Sequence, residues 1–439
     1  MKKFLADDFN LERVGFKRLD NIAEVKGGKR LPLGETFSNE GIPYIRAEDV
    51  KNGFVDYENS PKISEQTYEK IKRYKTTFND ILLTIVGNSI GDVGLVKFRL
   101  DRCNLTENCV RVFSKEVNPE VLFAYLISDY GQNTIEREKV GTAQPKLAIE
   151  RISNFKIPKF GSNLQREVSD LVNFSNKLIT ESKSSYQKAE QLLLQEIGLA
   201  DFTPNQEPVN VKSFQESFGT SGRLDAEYYQ AKYDELESEI IKTGSYSTLG
   251  KLSKLISRGK QPLYSENDSK VLMVINSKHV RENKIIFDNT RVALEDDCTL
   301  FIEENDVVIN GTGVGTIGRA APYLYKTKAI PDNHVTIIRQ ESVSPLYLSV
   351  YLNTIAGQYQ VEKYFKGSSG QIELYPDDIS NFLIWIAPKD VQAQIEEMIL
   401  SAFKLENQSN HLLEVAKRAV EIAIEESEEV AMEYIKHNN

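Results

Sequence analysis

The chain repeats itself, and no other feature constrains its fold as much. Laid against its own second half at an offset drifting between 224 and 231 residues, it keeps order, spacing and residue type. Leu19, Ile22 and Val25 fall on Leu249, Leu252 and Leu255, and Gly28-Lys29 falls on Gly259-Lys260. Asn79-Asp80 opens an apolar run that returns after Asn305-Asp306. Gly87, Gly91 and Gly94 match Gly311, Gly315 and Gly318 at an offset of 224, and Tyr130-Gly131-Gln132 matches Ala356-Gly357-Gln358. Gln144 meets Gln371 in step with Ile152-Ser153-Asn154-Phe155 on Ile379-Ser380-Asn381-Phe382. A chain of 439 residues exceeds one core, since single cores stop growing at roughly 250–300 residues. The repeat predicts two copies of one plan, each with its own core.

Within each copy the local pattern is β-rich. Short apolar runs such as Ile81–Val86, Val110–Phe113, Val271–Ile275, Val307–Ile309 and Val335–Ile338 are bounded by Gly, Pro, Asn and Asp, the residues that stop strands and make turns. One helix per copy is expected, at about 119–138 and 345–365, each opened by a proline. After each β-rich unit the period changes. Leu164, Val168, Leu171, Leu178, Ala189, Leu192, Leu193 and Ile197 make an apolar seam, as do Val391, Ile395, Ile399, Leu405, Leu412, Val415, Ala419 and Ile422. Neither stretch holds an interior Pro or Gly, so both read as long amphipathic helices suited to helix-on-helix packing. Ser182 and Ser185 interrupt the first seam, which is therefore no strict heptad. Gly198 and Pro204 stop that helix. The expected layout is a β-rich domain at 1–160, a long helix at 161–200, a linker at 201–222, a second domain at 223–389 and a second long helix at 390–439. The fold class is α/β (α+β).

Net charge is −10, which at first argues against a nucleic-acid partner. The acid is unevenly placed. Residues 1–160 carry 26 Lys+Arg against 23 Asp+Glu, and 245–389 carry 16 against 16. The excess lies in 201–244, with 4 against 9, and in 390–439, with 4 against 11. Contact with DNA through local patches on two neutral or mildly basic domains is compatible with that split. No apolar run of membrane-spanning length occurs, so no membrane partner is expected, and the start lacks the apolar core of a signal peptide. Three cysteines in so long a chain are no disulfide scaffold, which points to a cytoplasmic protein.

Catalytic patterns fail on inspection. Gly313-Val314-Gly315-Thr316-Ile317-Gly318 satisfies G-x-G-x-x-G, yet Pro322 follows four residues later and forbids the helix that would receive a pyrophosphate. Gly28-Lys29, Gly250-Lys251 and Gly259-Lys260 are followed by Arg, Leu and Gln, so no P-loop exists. Neither Pro331-Asp332 nor Pro376-Asp377 continues into a nuclease motif, and no Pro-Pro pair exists for an aminomethyltransferase clamp. Four scattered histidines and the Cys103/Cys109 pair, answered by Lys328 and His334 in the second copy, make no metal cluster. No catalytic residue, metal or cofactor is assigned to this chain.

Basic and short polar residues near turns are the better signal. Lys26, Lys29 and Arg30 are echoed by Arg258 and Lys260, and Lys70, Lys72, Arg73 and Lys75 alternate with Tyr68, Tyr74 and Phe78. Arg46, Lys146 and Lys278 add further cations. Such groups neutralise phosphates and seat loops in grooves. Asn88, Ser89, Gln144, Thr312, Thr316, Arg319 and Gln371 are side chains able to read base edges. Singly, each reads better as a solvated surface residue; the signal is that such residues occupy equivalent loops twice.

At this point the pattern resembles the specificity subunit of type I restriction–modification systems. The segments that carry the likeness are Leu19–Gly28, Ile42–Gly53, Asp80–Gly91, Gly141–Gln144, Ile152–Pro158 and Arg223–Tyr229. The last of these has no clear copy before residue 16. The resemblance implies two target recognition domains, each reading half of a bipartite site in double-stranded DNA. It implies that the two long helices pair as an antiparallel coiled coil. It further implies docking of two adenine methyltransferase subunits and of restriction subunits, which would bind S-adenosylmethionine, ATP and magnesium. A 36-residue helix at 162–197 spans about 54 Å, against roughly 34 Å for one turn of DNA. The alternative is a repeat-built protein-interaction scaffold without DNA binding.

Overall fold

The computed structural model describes residues 2–38, 40–141, 145–205, 207, 209–265, 271–294, 300–367, 370 and 372–439, with the side chains of 2–6 and 8 set aside. The chain divides into two compact units, residues 1–181 with 404–439, and residues 182–403. Each long helix therefore contributes its two halves to different units. Gln144, Gln371 and Cys298 lie outside the described residues.

In the first unit a five-stranded sheet runs in the order Ala23–Gly27, Cys109–Ser114, Ile81–Thr84, Val93–Leu95, Gly53–Phe54. Its centre, Ile81 opposite Val112 and Leu83 opposite Val110, is antiparallel and buried. The second unit repeats the plan with four strands, Ser253–Arg258, Val335–Gln340, Val307–Asn310 and Ala320–Pro322. A smaller sheet stands beside each: Lys62–Ile63, Ile42–Ile45 and Asn104–Leu105 in one unit, Val292–Leu294, Val271–Ile275 and Ile330–Pro331 in the other. The α/β fold class, with two β-rich units in tandem, is as expected.

The repeated residues are the ones the backbone needs. Asn79 and Asn305 both take a left-handed conformation, φ 67° and 73°, which asparagine tolerates better than most residues. The aspartates after them are buried and held. Asp80 accepts from the Thr77 amide at 2.6 Å and the Thr76 hydroxyl at 3.2 Å, and Asp306 takes Arg339 at 2.8 Å. Gly28 and Gly259 pack against carbonyls of 105–106 and 331–332, where a Cβ would overlap backbone oxygen. Lead-in helices Lys2–Val14 and Ala231–Lys242 precede the first strands of the two units. The first-unit lead-in was not visible in the sequence, because its residues share no motif with 223–229.

One helix per copy was expected after the sheet; there are two. Pro119–Ile127 and Asp129–Glu138 are separated by Ser128, and Pro345–Asn353 and Ile355–Tyr364 by Thr354. Both separators are extended, ψ 164° and 175°, and both hydroxyls donate back to the carbonyl three residues earlier. Short hydroxyl side chains compete with the helical ladder in this way. The second helix folds so tightly onto the first that a Cβ at Gly131 or Gly357 would overlap the Tyr125 or Leu352 carbonyl oxygen.

The long helices are Ser162–Ile197 and Lys389–Glu425. In the first unit the Gly161 amide donates to Glu428 at 2.7 Å, while Ser175 meets Ser409 at 2.8 Å, so the chains run antiparallel. Leu164, Val168, Leu171 and Val172 are buried in one cluster with Ala416, Ala419, Val420 and Ala423. In the second unit Ala189, Leu193 and Ile197 pack with Val391, Ile395 and Ile399. The polar breaks in the seam are satisfied. Ser182 is buried and donates to the Ala402 carbonyl at 2.8 Å. The second helix, expected to run over 390–439, ends at Glu425 and a separate helix Glu428–Asn438 follows, capped by Ser427 accepting from the Val430 amide. Glycine tolerance predicts a cost: Gly357→Ala should lose about 1–3 kcal/mol through overpacking, read by urea denaturation of the full chain. A loss under about 0.5 kcal/mol, the range of neutral surface changes, would contradict the helix-on-helix contact.

Candidate nucleic-acid interface

The polar loops sit where the first helix of each pair ends. After strand Ile81–Thr84 the chain turns through 86–91 and returns as Val93–Leu95. Gln132 fixes that turn from beneath, its amide donating to the Gly91 carbonyl at 3.0 Å and the Leu126 carbonyl at 2.9 Å. Gln358 does the same in the second unit, to Gly318 at 3.1 Å and Leu352 at 2.7 Å. Gly91 and Gly318 both have positive φ, 105° and 81°. Structural equivalence therefore pairs Gly91 with Gly318 and Gly87 with Gly313, not with Gly315 and Gly311 as the sequence offset of 224 suggested. The second loop is one residue longer, which shifts the glycine pattern out of register with the hydrogen bonds. An isolated β-bridge also ties each loop to a segment that follows the helix pair, Val86 to Lys146 and Thr312 to Glu373.

In the first unit these elements enclose an open groove of about 580 Å³. Arg30, Arg46, Asn88 and Ser89, all expected site residues, line it together with Lys51, Asn108, Phe37 and Tyr44. Asn88 is exposed and Ser89 half-buried. The cations are engaged. Arg30 pairs with Glu107 at 2.5 Å, and this hydrogen-bonded carboxylate raises the guanidinium's already high pKa. Arg46 pairs with Glu48 and, at 3.3 Å, with Asp49, whose carboxylate also accepts the Arg46 amide. Lys29 lies 5.9 Å from the Tyr74 ring centroid, joining the groove's loop to the basic turn of Lys72, Arg73 and Lys75. Lys72 pairs with Glu69 at 2.7 Å and Lys26 with Glu24 at 2.6 Å; Arg73 and Lys75 are exposed. Lys146 is exposed and, through its bridge to Val86, flanks the loop.

The second unit builds its counterpart differently. Thr312 Oγ1 lies 2.8 Å from His334 Nδ1, and Thr316 caps its own turn on the Thr312 and Gly313 carbonyls. Arg258 donates to the Asn333 carbonyl at 2.6 Å, stands 3.5 Å from Glu373 and covers the Tyr375 ring. So Arg258 and Thr312 converge with His334, Asn333 and Glu373, whereas Arg319 and Lys278 belong to a second group. There Lys278 donates to the Asn289 carbonyl at 3.1 Å, and burial followed by the charge of Arg319 pulls the Arg281 pKa down. Lys260 is exposed. His334, Asn333 and Arg281 were missed as site residues. The signal available was only that His334 stands where the first copy has no histidine.

Cys103 and Cys109 are free and buried, and burial pushes both thiols up to about 12. No group of three or more metal-ligating side chains occurs among the described residues. No helix among them is long and apolar enough to cross a membrane.

Two outcomes follow from the loop geometry. Gln358→Ala removes two hydrogen bonds, about 1 kcal/mol each. Amide exchange should accelerate across 313–318 while strand Val335–Gln340 stays protected; unchanged exchange in the loop would reject the latch. His279 is buried in the turn beside Lys278 and Arg281, and burial, then the Lys278 charge, holds its pKa below 6.5. The unfolded imidazole takes a proton near its ordinary value while the folded one resists. The contribution is therefore present above pH 6.5 and is lost as pH falls through the lowered folded value. Thermal denaturation between pH 7.5 and 5 should show that loss in the native protein and a flatter profile in His279→Gln.

Residues 12–185 match the family model of the type I restriction modification DNA specificity domain. The Escherichia coli type I restriction enzyme EcoBI specificity subunit is 30% identical over 131 residues, 29% of this chain and 27% of that one. The Methanocaldococcus jannaschii MjaVIII specificity subunit is 22% identical over 186 residues, 40% of this chain and 43% of that one. The matches thus span less than half of these curated relatives. Among solved structures, the type I restriction-modification S subunit from M. genitalium covers 93% of this chain and 95% of its own, at 12% identity and a TM-score of 0.41. The HsdS subunit of Thermoanaerobacter tengcongensis covers 94% and 97%, at 14% identity and a TM-score of 0.30. Residues 12–185 are thus similar to the type I restriction modification DNA specificity domain, and the matched part of the chain resembles the specificity subunits of type I restriction enzymes.

Proposed function

We propose that the chain is the non-catalytic DNA-reading subunit of a type I restriction–modification complex, each of its β-rich units reading half of a bipartite target. The target recognition domains would be 1–160 and 223–389, the spacer helices Ser162–Ile197 and Lys389–Glu425, and the linker 201–222. One observation carries the reading: the same loop, latched by the same glutamine, is presented twice with different side chains on it. The first copy offers Asn88, Ser89 and Lys146; the second offers Thr312, Thr316 and Glu373 at or beside the equivalent places. A conserved mount with exchanged contents is what reading two different half-sites requires, since donor and acceptor patterns specify bases. Arg30, Arg46, Lys29 and the 72–75 turn would supply phosphate contacts that set register.

Two methyltransferase subunits and restriction subunits would complete the assembly in the cytoplasm, and would bind S-adenosylmethionine, ATP and magnesium. The acidic 390–439 segment would stay away from phosphate and face protein partners instead. Methylation mapping in cells carrying the chain with its methyltransferase tests the whole reading. A split adenine-methylated motif is expected, and exchange of residues 17–160 should change one half only. Absence of any motif beside an active methyltransferase would favour the protein-interaction scaffold instead.

A further inference from the structure

Each unit carries a second repeated feature that the loops above do not use. A glycine pinned against backbone carbonyls, Gly28 or Gly259, is followed by a lysine and then by a Pro-Leu pair, Pro32-Leu33 or Pro262-Leu263. The leucines are displayed. Leu33 is 105% exposed and Leu263 66%. A single exposed leucine needs no explanation, but two at equivalent places, each on a braced loop beside cations, do.

The bracing is specific. In the first unit the Lys29 amide donates to the Leu105 carbonyl at 2.8 Å, and the Tyr44 hydroxyl donates to the Lys29 carbonyl at 2.7 Å. Past the tip, the Glu35 amide closes a turn on the Pro32 carbonyl at 3.0 Å, and the Glu35 carboxylate is held by Thr67 and Lys70. Phe37 then packs on Tyr44 with ring centroids 5.7 Å apart. In the second unit the Leu294 amide donates to the Leu263 carbonyl at 3.0 Å, and Arg291 lies 3.5 Å over the Tyr264 ring. A rigid loop that holds an apolar side chain in water has already met the ordering cost of binding. The residues preceding the tips, Lys29-Arg30 and Lys260, fit an anionic partner rather than an apolar protein face, and Arg30 and Leu31 line the same groove as Asn88.

We infer that Leu33 and Leu263 are the apolar base-contacting tips of the two units, entering a DNA groove between lysine–phosphate contacts and touching bases by shape and hydrophobic contact. Leucine can meet a thymine methyl or wedge a base step; both are base contacts that polar loops cannot supply. The inference rests on the DNA-reading role proposed above and adds determinants of specificity to it.

The test uses the full chain with its methyltransferase, and two duplexes: the target mapped from methylation and one with both half-sites scrambled. Leu33→Ala and Leu263→Ala should each weaken target binding about tenfold or more, as expected when a buried leucine is truncated. Leu33→Met and Leu263→Met should stay near the native affinity, and all four variants should keep the native melting temperature because the tips are exposed. Alanine variants that bind the target within about twofold of the native protein would overturn the inference. So would an equal loss on the scrambled duplex, which would place the leucine against sugar-phosphate. A native protein that does not distinguish the two duplexes defeats the DNA-reading role itself, and the leucine assignment with it.

Discussion

The geometry of both candidate interfaces depends on one side-chain amide, Gln132 in the first unit and Gln358 in the second. It spans the end of one helix and the start of a surface loop, donating to Leu126 and Gly91, or to Leu352 and Gly318. A helix C-terminus leaves carbonyls without partners, and a tight loop leaves others. One amide satisfies both and so couples the loop to the packed core. The glycine before it, Gly131 or Gly357, lets the second helix come close enough for that reach. Within each unit the mount is rigid while the side chains above it are free to differ.

Electrostatics set a second constraint. Most cations near the groove stand in ion pairs: Arg30 with Glu107, Arg46 with Asp49, Lys72 with Glu69, Lys26 with Glu24. The Arg30, Lys72 and Lys26 pairs lie on the surface, where such pairs are weak, so a phosphate can replace the carboxylate there at small cost. The arrangement keeps a chain of net charge −10 locally ready for an anion without exposing a strongly basic face. It also explains why composition alone spoke against nucleic acid.

The helix seam shows how polarity can be carried inside a coiled pair. Ser175 and Ser409 bond each other and each other's carbonyls, and Ser182 bonds Ala402. Small residues bring the backbones close, and each buried hydroxyl finds an acceptor, avoiding the penalty of an unpaired polar group. What looks in the one-dimensional pattern like a defect is a site of cross-helix hydrogen bonding.

From the sequence by itself follow the duplication, the β-rich units, the long helices and the turn residues, because these rest on local periodicity and on backbone preferences of Gly, Asn and Pro. Gly28, Gly259, Asn79 and Asn305 were legible for that reason. The grouping of Arg30, Arg46, Asn88 and Ser89 in one groove was not legible there, since it brings together residues far apart in sequence. Tertiary structure alone decided the rest. The break at Ser128 and Thr354, the one-residue shift that pairs Gly91 with Gly318, and the recruitment of His334 to Thr312 all arise from contacts between residues far apart in sequence. No local pattern encodes such contacts. A hydrogen bond from Gln358 to Gly318 depends on where two separately formed elements come to rest, and only packing determines that.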